Sequence, residues 1–177
     1  KSVAAMALAA LVAAPAARAA EATVGADLSS AYVFRGVTFN DGAVIQPYLD
    51  VSGLPIDIGV WGNIDIDDMD GALESGQFSE IDVYASYAFD IEGIDLSAGY
   101  CEYTYPLGGI EADRELSFSV GLDLPLAPAV GFYYGIDGGI EKSFYIDFGV
   151  GHEIEVAEGV TLGLGALAAY LDPDEGE

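Results

Sequence analysis

The sequence predicts an all-β fold, an antiparallel up-and-down transmembrane β-barrel. Three observations lead there. From residue 23 to residue 171, runs of roughly ten residues alternate apolar with polar side chains, which puts neighbours on opposite faces of a strand. Short Gly/Pro turns and longer acidic loops join the runs in alternation, the pattern of short periplasmic turns and long outer loops in outer-membrane barrels. No helical stretch lies between the runs to cover one face of the sheet, so an apolar outside and a polar inside are expected.

Nine strands are predicted, at 23–36, 43–53, 56–66, 79–90, 94–105, 114–124, 129–138, 143–155 and 160–171. The first is taken to run outward, with Asp27, Ser29, Ala31 and Arg35 on its inward parity. The second sets Gln46, Tyr48 and Asp50 inward. The third is the clearest, with Ile56, Ile58, Val60, Ile64 and Ile66 against Asp57, Trp61, Asn63 and Asp65. In the fourth, Ile81, Val83, Ala85, Tyr87 and Phe89 face lipid, and Glu80, Asp82, Tyr84 and Ser86 face the lumen. The fifth contributes Asp95 and Tyr103 to the lumen. The sixth presents Leu116, Phe118, Val120 and Leu122 outward and Glu115 inward. The seventh presents Val130, Phe132, Tyr134 and Ile136 outward. The eighth sets Phe144, Ile146, Phe148 and Val150 outward against Ser143, Tyr145 and Asp147; the ninth carries Val160, Leu162, Leu164 and Ala166 outward. Phe34, Phe89, Tyr100 and Tyr170, near strand ends, suit the aromatic girdles of a membrane interface.

The connections at 53–55, 91–93, 125–128 and 156–159 are short, and those at 37–42, 67–78 and 106–113 are longer. Nine is odd where single-chain bacterial barrels are even, and an open edge in lipid leaves unpaired backbone groups. The barrel is therefore expected to have about ten to twelve strands, the rest lying beyond residue 177.

Composition agrees with this class. In 177 residues, 52% hydrophobic side chains accompany a net charge of -25, and 11 Tyr with 8 Phe argue for order rather than an acidic disordered chain. Five Lys and Arg exclude a phosphate-binding surface, so no nucleic-acid partner is expected. Cys101 is the sole cysteine, which rules out an intrachain disulfide. Residues 1–20 read as a cleaved signal peptide: Lys1, an apolar stretch from Val3 to Ala14, then a small-residue end at Ala19 and Ala20. The chain opens on Lys rather than Met, so the start of the leader is expected upstream. Residues 21–177 form the barrel domain.

Ser29 to Asn40, with Tyr32, Phe34, Arg35 and Gly36, followed by Ala43-Val44-Ile45-Gln46-Pro47, resembles the opening of the TorF-type porin family, bacterial outer-membrane proteins of poorly defined function. Gly59-Val60-Trp61-Gly62-Asn63 looks like that family's third strand and Glu80 to Tyr84 with Tyr87 its fourth. The likeness is strongest over residues 29–90; one departure is Gln46, which precedes Pro47 rather than following it. The resemblance implies a pore in a Gram-negative outer membrane.

The inward carboxylates carry the most functional weight. Asp50, Asp57, Asp65, Glu80, Asp82 and Asp147 are the candidates for setting selectivity, with Asp95, Glu115, Asp123 and Asp137 on the same parity; a lumen so lined attracts cations. Arg35 among them either forms an internal ion-pair network that rigidifies the barrel or narrows the pore, or pairs with loop carboxylates purely for folding. Tyr48, Trp61, Tyr84, Tyr103, Tyr133 and Tyr145 leave the other possibility open, a barrel filled by its own side chains. Asp67, Asp68 and Asp70, with Glu74, offer oxygen ligands for a hard cation, but the full calcium-loop pattern is absent and a solvated acidic loop accounts for them as well. His152 faces outward, and without a G-x-S-x-G elbow no acyl-transfer chemistry is expected.

The expected function is a non-enzymatic outer-membrane porin-like channel for small, preferably cationic, solutes, with no cofactor. Its expected partners are membrane lipid and lipopolysaccharide. The alternative is a plugged barrel with a structural or surface-binding role. A soluble lipocalin-type barrel fits less well, because the inward face is too acidic for an apolar ligand.

Overall fold

The computed structural model describes residues 20–66 and 75–173. Residues 1–19, 67–74 and 174–177, among them the expected leader and Asp67, Asp68 and Asp70, lie outside the described residues. The chain is all-β, and the nine expected strands are present as one antiparallel sheet. In chain order they are β1 (Glu21–Ser29), β4 (Val44–Ser52), β5 (Asp57–Asp65), β6 (Phe78–Ile91), β7 (Ile94–Thr104), β8 (Asp113–Leu122), β9 (Ala129–Asp137), β10 (Phe144–Ala157) and β11 (Val160–Asp172). Each pairs with its neighbour in that order, a meander whose edges are β1 and β11. Those edges do not pair with each other, so the described residues form an open sheet rather than a closed barrel. Among the described residues no helix is long and apolar enough to cross a membrane.

The remaining two strands correct the first expected one. The run to residue 36 is not continuous: β1 stops at Ser29, and the chain turns into a separate hairpin, β2 (Tyr32–Phe34) and β3 (Val37–Asn40). Arg35 and Gly36 form its two-residue turn with φ of 51° and 82°. Two consecutive positive φ values give the turn whose twist matches that of antiparallel strands. Glycine takes such an angle freely, whereas at arginine it costs about 1–2 kcal/mol and has to be held by contacts.

The faces are sorted as the alternation predicts, and the sorting is inside-out. Among the described residues, the buried polar side chains, Asn40, Asn63, Asp65, Glu80, Asp82, Asp113 and Glu115, outnumber the buried large apolar ones, Tyr32, Val44 and Tyr145. The opposite face is aliphatic and exposed from β1 (Val24, Leu28) through β6 (Val83) and β8 (Leu116, Phe118) to β11 (Leu162, Leu164). Register keeps this face continuous, because directly opposed residues share a face: Phe118 lies between Ala98 and Phe132, and Ala166 lies opposite Val150.

On the polar face large rings lie over glycines. Tyr48 is opposite Gly25 and Tyr84 opposite Gly59, and a Cβ on Gly59 would come 2.3 Å from the Tyr84 ring. The glycine lets the ring lie flat across the strand, where its hydroxyl donates to Asp50. Gly59→Val is therefore expected to expel Tyr84 and destabilise the sheet by about 1–3 kcal/mol, as overpacking does. A chemical-denaturation midpoint equal to that of the parent would contradict this packing.

Candidate functional site

The site is built by the β2–β3 hairpin folding over the polar face. Its base is fixed where Ser29 pairs with Val44, and Val44 is fully buried. Tyr32 stacks on Phe39 across the hairpin, with ring centroids 5.4 Å apart, and packs on Trp61 of β5 at 5.5 Å. Phe34 meets Tyr103 of β7 at 6.1 Å. At the turn, Arg35 donates through both terminal nitrogens to Glu115 of β8, at 2.6 and 2.8 Å. The Arg35 guanidinium also lies 4.5 Å from the Tyr133 ring centre and 4.4 Å from that of Tyr145, on β9 and β10. A hairpin rooted between β1 and β4 touches β5, β7, β8, β9 and β10 together because the sheet curves around it. In a flat sheet β4 and β8 would be about 19 Å apart, at about 4.8 Å per strand.

The partner of Arg35 is thus a strand carboxylate and not a loop one. Arg35 lies not at the outer end of a wall strand but inside, in an ion pair whose Glu115 side chain is 4% exposed. Tyr103 adds a hydrogen bond to the same carboxylate at 3.1 Å. Phe34, expected in an interface girdle, is part of this interior cluster. A forked guanidinium on a carboxylate, with aromatic rings on its faces, is a rigid arrangement that a lysine would not reproduce.

The second part of the site is acidic. Asp65, Glu80 and Asp82 converge on the end of the sheet that carries the longer loops, and Asp113 joins them from the start of β8. Asn40 from the hairpin donates to Asp65, Asn63 donates to it at 3.1 Å, and Tyr105 donates to Asp113 at 2.8 Å. Burial pushes the Tyr32 phenol above its ordinary range, helped by the neighbouring Glu80 carboxylate, and burial with the Asp113 hydrogen bond does the same to Tyr105. Both phenols therefore stay protonated as donors.

Not every expected lumen residue belongs to this cluster. Asp57 begins β5 and Asp65 ends it, so the two stand about 26 Å apart at a strand rise of about 3.3 Å per residue, and Asp57 faces Ser86 at the short-turn end. Asp50 is held by Tyr84, and Asp147 lies beyond the hairpin with Arg35, Tyr133 and Tyr145. Asp137 does not face inward. A register shift in β9 sets it opposite Arg114, which pairs with it and, at 2.9 Å, with Glu102 on the outer face. Asp67, Asp68 and Asp70 lie outside the described residues, and no group of three metal-ligating side chains is found among those described. His152 is exposed, its Nδ1 2.7 Å from the Pro125 carbonyl oxygen.

The sequence assigns no place in this acidic cluster to Asp113, Asn40, Tyr32 or Tyr105, although Tyr32 and Asn40 belong to the 29–40 motif. Asp113 read as the end of a loop, and Tyr32 and Asn40 take their places from the hairpin. The visible signal was the Phe34-Arg35-Gly36-Val37 run, a glycine-containing pair between apolar residues after the Ser29-Ser30 interruption.

Residues 13–124 match the family model described as a bacterial protein of unknown function, Gcw_chp. The chain belongs to this family. The matched span takes in the hairpin, Glu115 and all four carboxylates of the acidic cluster, and ends before β9. Tyr133, Tyr145 and Asp147 lie beyond it. No curated protein and no solved structure matches the chain.

Proposed function

We propose that this protein is a bacterial outer-membrane β-barrel, a porin-like passage for small, preferably cationic, solutes whose lumen is narrowed by the β2–β3 hairpin. One observation carries the reading: carboxylates and amides are buried while a continuous aliphatic face is exposed on strand after strand. A water-soluble monomer rarely exposes an apolar patch of more than a few hundred Å². In a bilayer the same face is solvated by acyl chains, and the strands, 9 to 14 residues long, suffice to cross when tilted. The reading requires the β1 and β11 edges to be paired, because an unpaired backbone group in hydrocarbon costs several kcal/mol. The resemblance of residues 29–90 to the TorF-type porins supports the same class.

Selectivity follows from the lining. Asp65, Glu80, Asp82 and Asp113 near one mouth, and Asp147 beyond the hairpin, make the lining rich in carboxyl groups, which favours cations over anions. Reconstituted protein in a potassium chloride gradient is expected to show a reversal potential favouring potassium. The preference should shrink with salt as the Debye length falls from about 10 Å at 0.1 M to about 3 Å at 1 M. Replacing Asp65, Glu80 and Asp82 by their amides should weaken it, and Asp57→Asn, at the far end, should matter less. Chloride preference would refute the electrostatic argument.

The alternative is a plugged barrel with a structural or surface-binding role. The ion pair that fastens the hairpin to β8 is the observation that favours it. Absence of conductance in protein that migrates heat-modifiably and fractionates with outer membranes would select it. Recovery as a soluble protein without detergent would sink both readings.

A further inference from the structure

A cavity of about 440 Å³ opens at the loop end of the polar face, on the opposite side of the hairpin from Asp147, and is lined by Tyr32, Asn40, Asp65, Glu80, Tyr105 and Asp113 among others. Its charge is uncompensated. Asp65 is fully buried, and Glu80, Asp82 and Asp113 are nearly so, yet no ion pair among the described residues involves any of the four. Arg35 is committed to Glu115, and Arg114 lies on the other face. Burying a carboxylate without a basic partner is costly, and four such side chains together make the site favour a counter-charge.

The hydrogen bonds show where that counter-charge is missing. Asp65, one of the residues lining the cavity, accepts from Asn40 and Asn63 on Oδ1, while its buried Oδ2 has no partner. Oδ1 of Asp82, behind Glu80 on the same strand, has none either. What these atoms lack is a hydrogen-bond donor, and the absence of a basic side chain beside the four acids favours a donor that carries positive charge. The carboxylates are not grouped to coordinate a metal ion, no set of three suitable ligands being found among the described residues. The Tyr105 ring with Leu107 and Ile110 supplies apolar surface beside the acids, which suits an alkyl-substituted cation.

We propose that this cavity binds a small organic cation through an ammonium or guanidinium group placed between Asp65, Glu80 and Asp113, with Tyr105, Leu107 and Ile110 against its carbon skeleton. The site specifies the solute class of the passage proposed above and rests on that reading for its access from outside. The group donates to the free Asp65 oxygen, and its charge offsets the buried carboxylates, so selection happens at the mouth, before the hairpin.

The test is calorimetric titration of the full chain in detergent with butylammonium chloride, and separately with calcium chloride. Saturable butylammonium binding is expected, weakened about tenfold or more by Asp65→Asn or Asp113→Asn, the loss of one charge-assisted hydrogen bond. Asp65→Asn retains an oxygen for Asn40, so the fold is kept, and Glu155→Gln on an exposed position of β10 should leave binding unchanged. No butylammonium binding, or calcium binding in its place, overturns the proposal. Infrared bands of protonated carboxyl groups at neutral pH in the unliganded protein, with no binding, would mean that protons supply the missing charge and would overturn it equally. Because binding is read in detergent, conduction without binding refutes this site alone, and binding without conduction refutes the channel alone.

Discussion

Phe118→Arg is expected to abolish most assembly into membranes. Phe118 is mid-strand on the exposed apolar face, with Ala98 opposite on β7 and Phe132 opposite on β9, so an arginine there finds no acid beside it. At the bilayer midplane such a substitution costs about 2–4 kcal/mol. In a water-soluble sheet the same change, at a position 41% exposed, would shift stability by about 0.5 kcal/mol or less. The two outcomes are far apart, and folding titrations into lipid vesicles read them directly. Ser119→Asn, one residue along on the polar face, is the matched control and should be mild. Equal tolerance at both positions would refute the membrane assignment. Val83→Arg is a weaker probe, because Val83 lies opposite Glu102, within reach of an arginine.

The same register explains how much of the fold was legible in the sequence. Strands 43–53 to 160–171 appear within one or two residues of their expected ends, because each is a period-two run closed by turn residues, and a one-residue slip would invert every face. The failure at 23–36 has the same origin. The hairpin strands β2 and β3 also alternate, so Tyr32 and Phe34 continue the period of β1 and conceal the break at Ser29-Ser30. Asp137 failed for a related reason. Alternation within β9 assigned it inward, and only pairing with β8 exposes the extra residue that turns it outward. The acidic lining was legible as a parity, but its division into a mouth cluster and a distant Asp57 depends on position along the strand, which parity ignores. Arg35 and Glu115 are 80 residues apart, and no local pattern joins them.

That ion pair is where the two functional readings part. Arg35→Met removes the charge while a flexible apolar side chain can still lie against Tyr133 and Tyr145. Glu115, 3% exposed, is then left buried with only the Tyr103 hydroxyl, and breaking a buried pair in this way costs about 3–5 kcal/mol. Glu115→Gln should also destabilise, and the double substitution Arg35→Met/Glu115→Gln should recover much of the loss, since neither charge is then stranded. Additive losses in denaturation midpoints would mean that the pair does not hold the hairpin. Conductance then separates release from mere weakening. If the hairpin constricts a passage, Arg35→Met should raise single-channel conductance and reduce potassium preference, because a hairpin detached from β8 leaves a wider lumen with weaker focusing of charge. The double variant, whose hairpin keeps its packing through Tyr32 on Trp61 and Phe34 on Tyr103, should fall between it and the parent. A closed parent that opens only on Arg35→Met would identify the hairpin as the plug; a parent and variant that both stay closed would place the obstruction in the interior tyrosines instead.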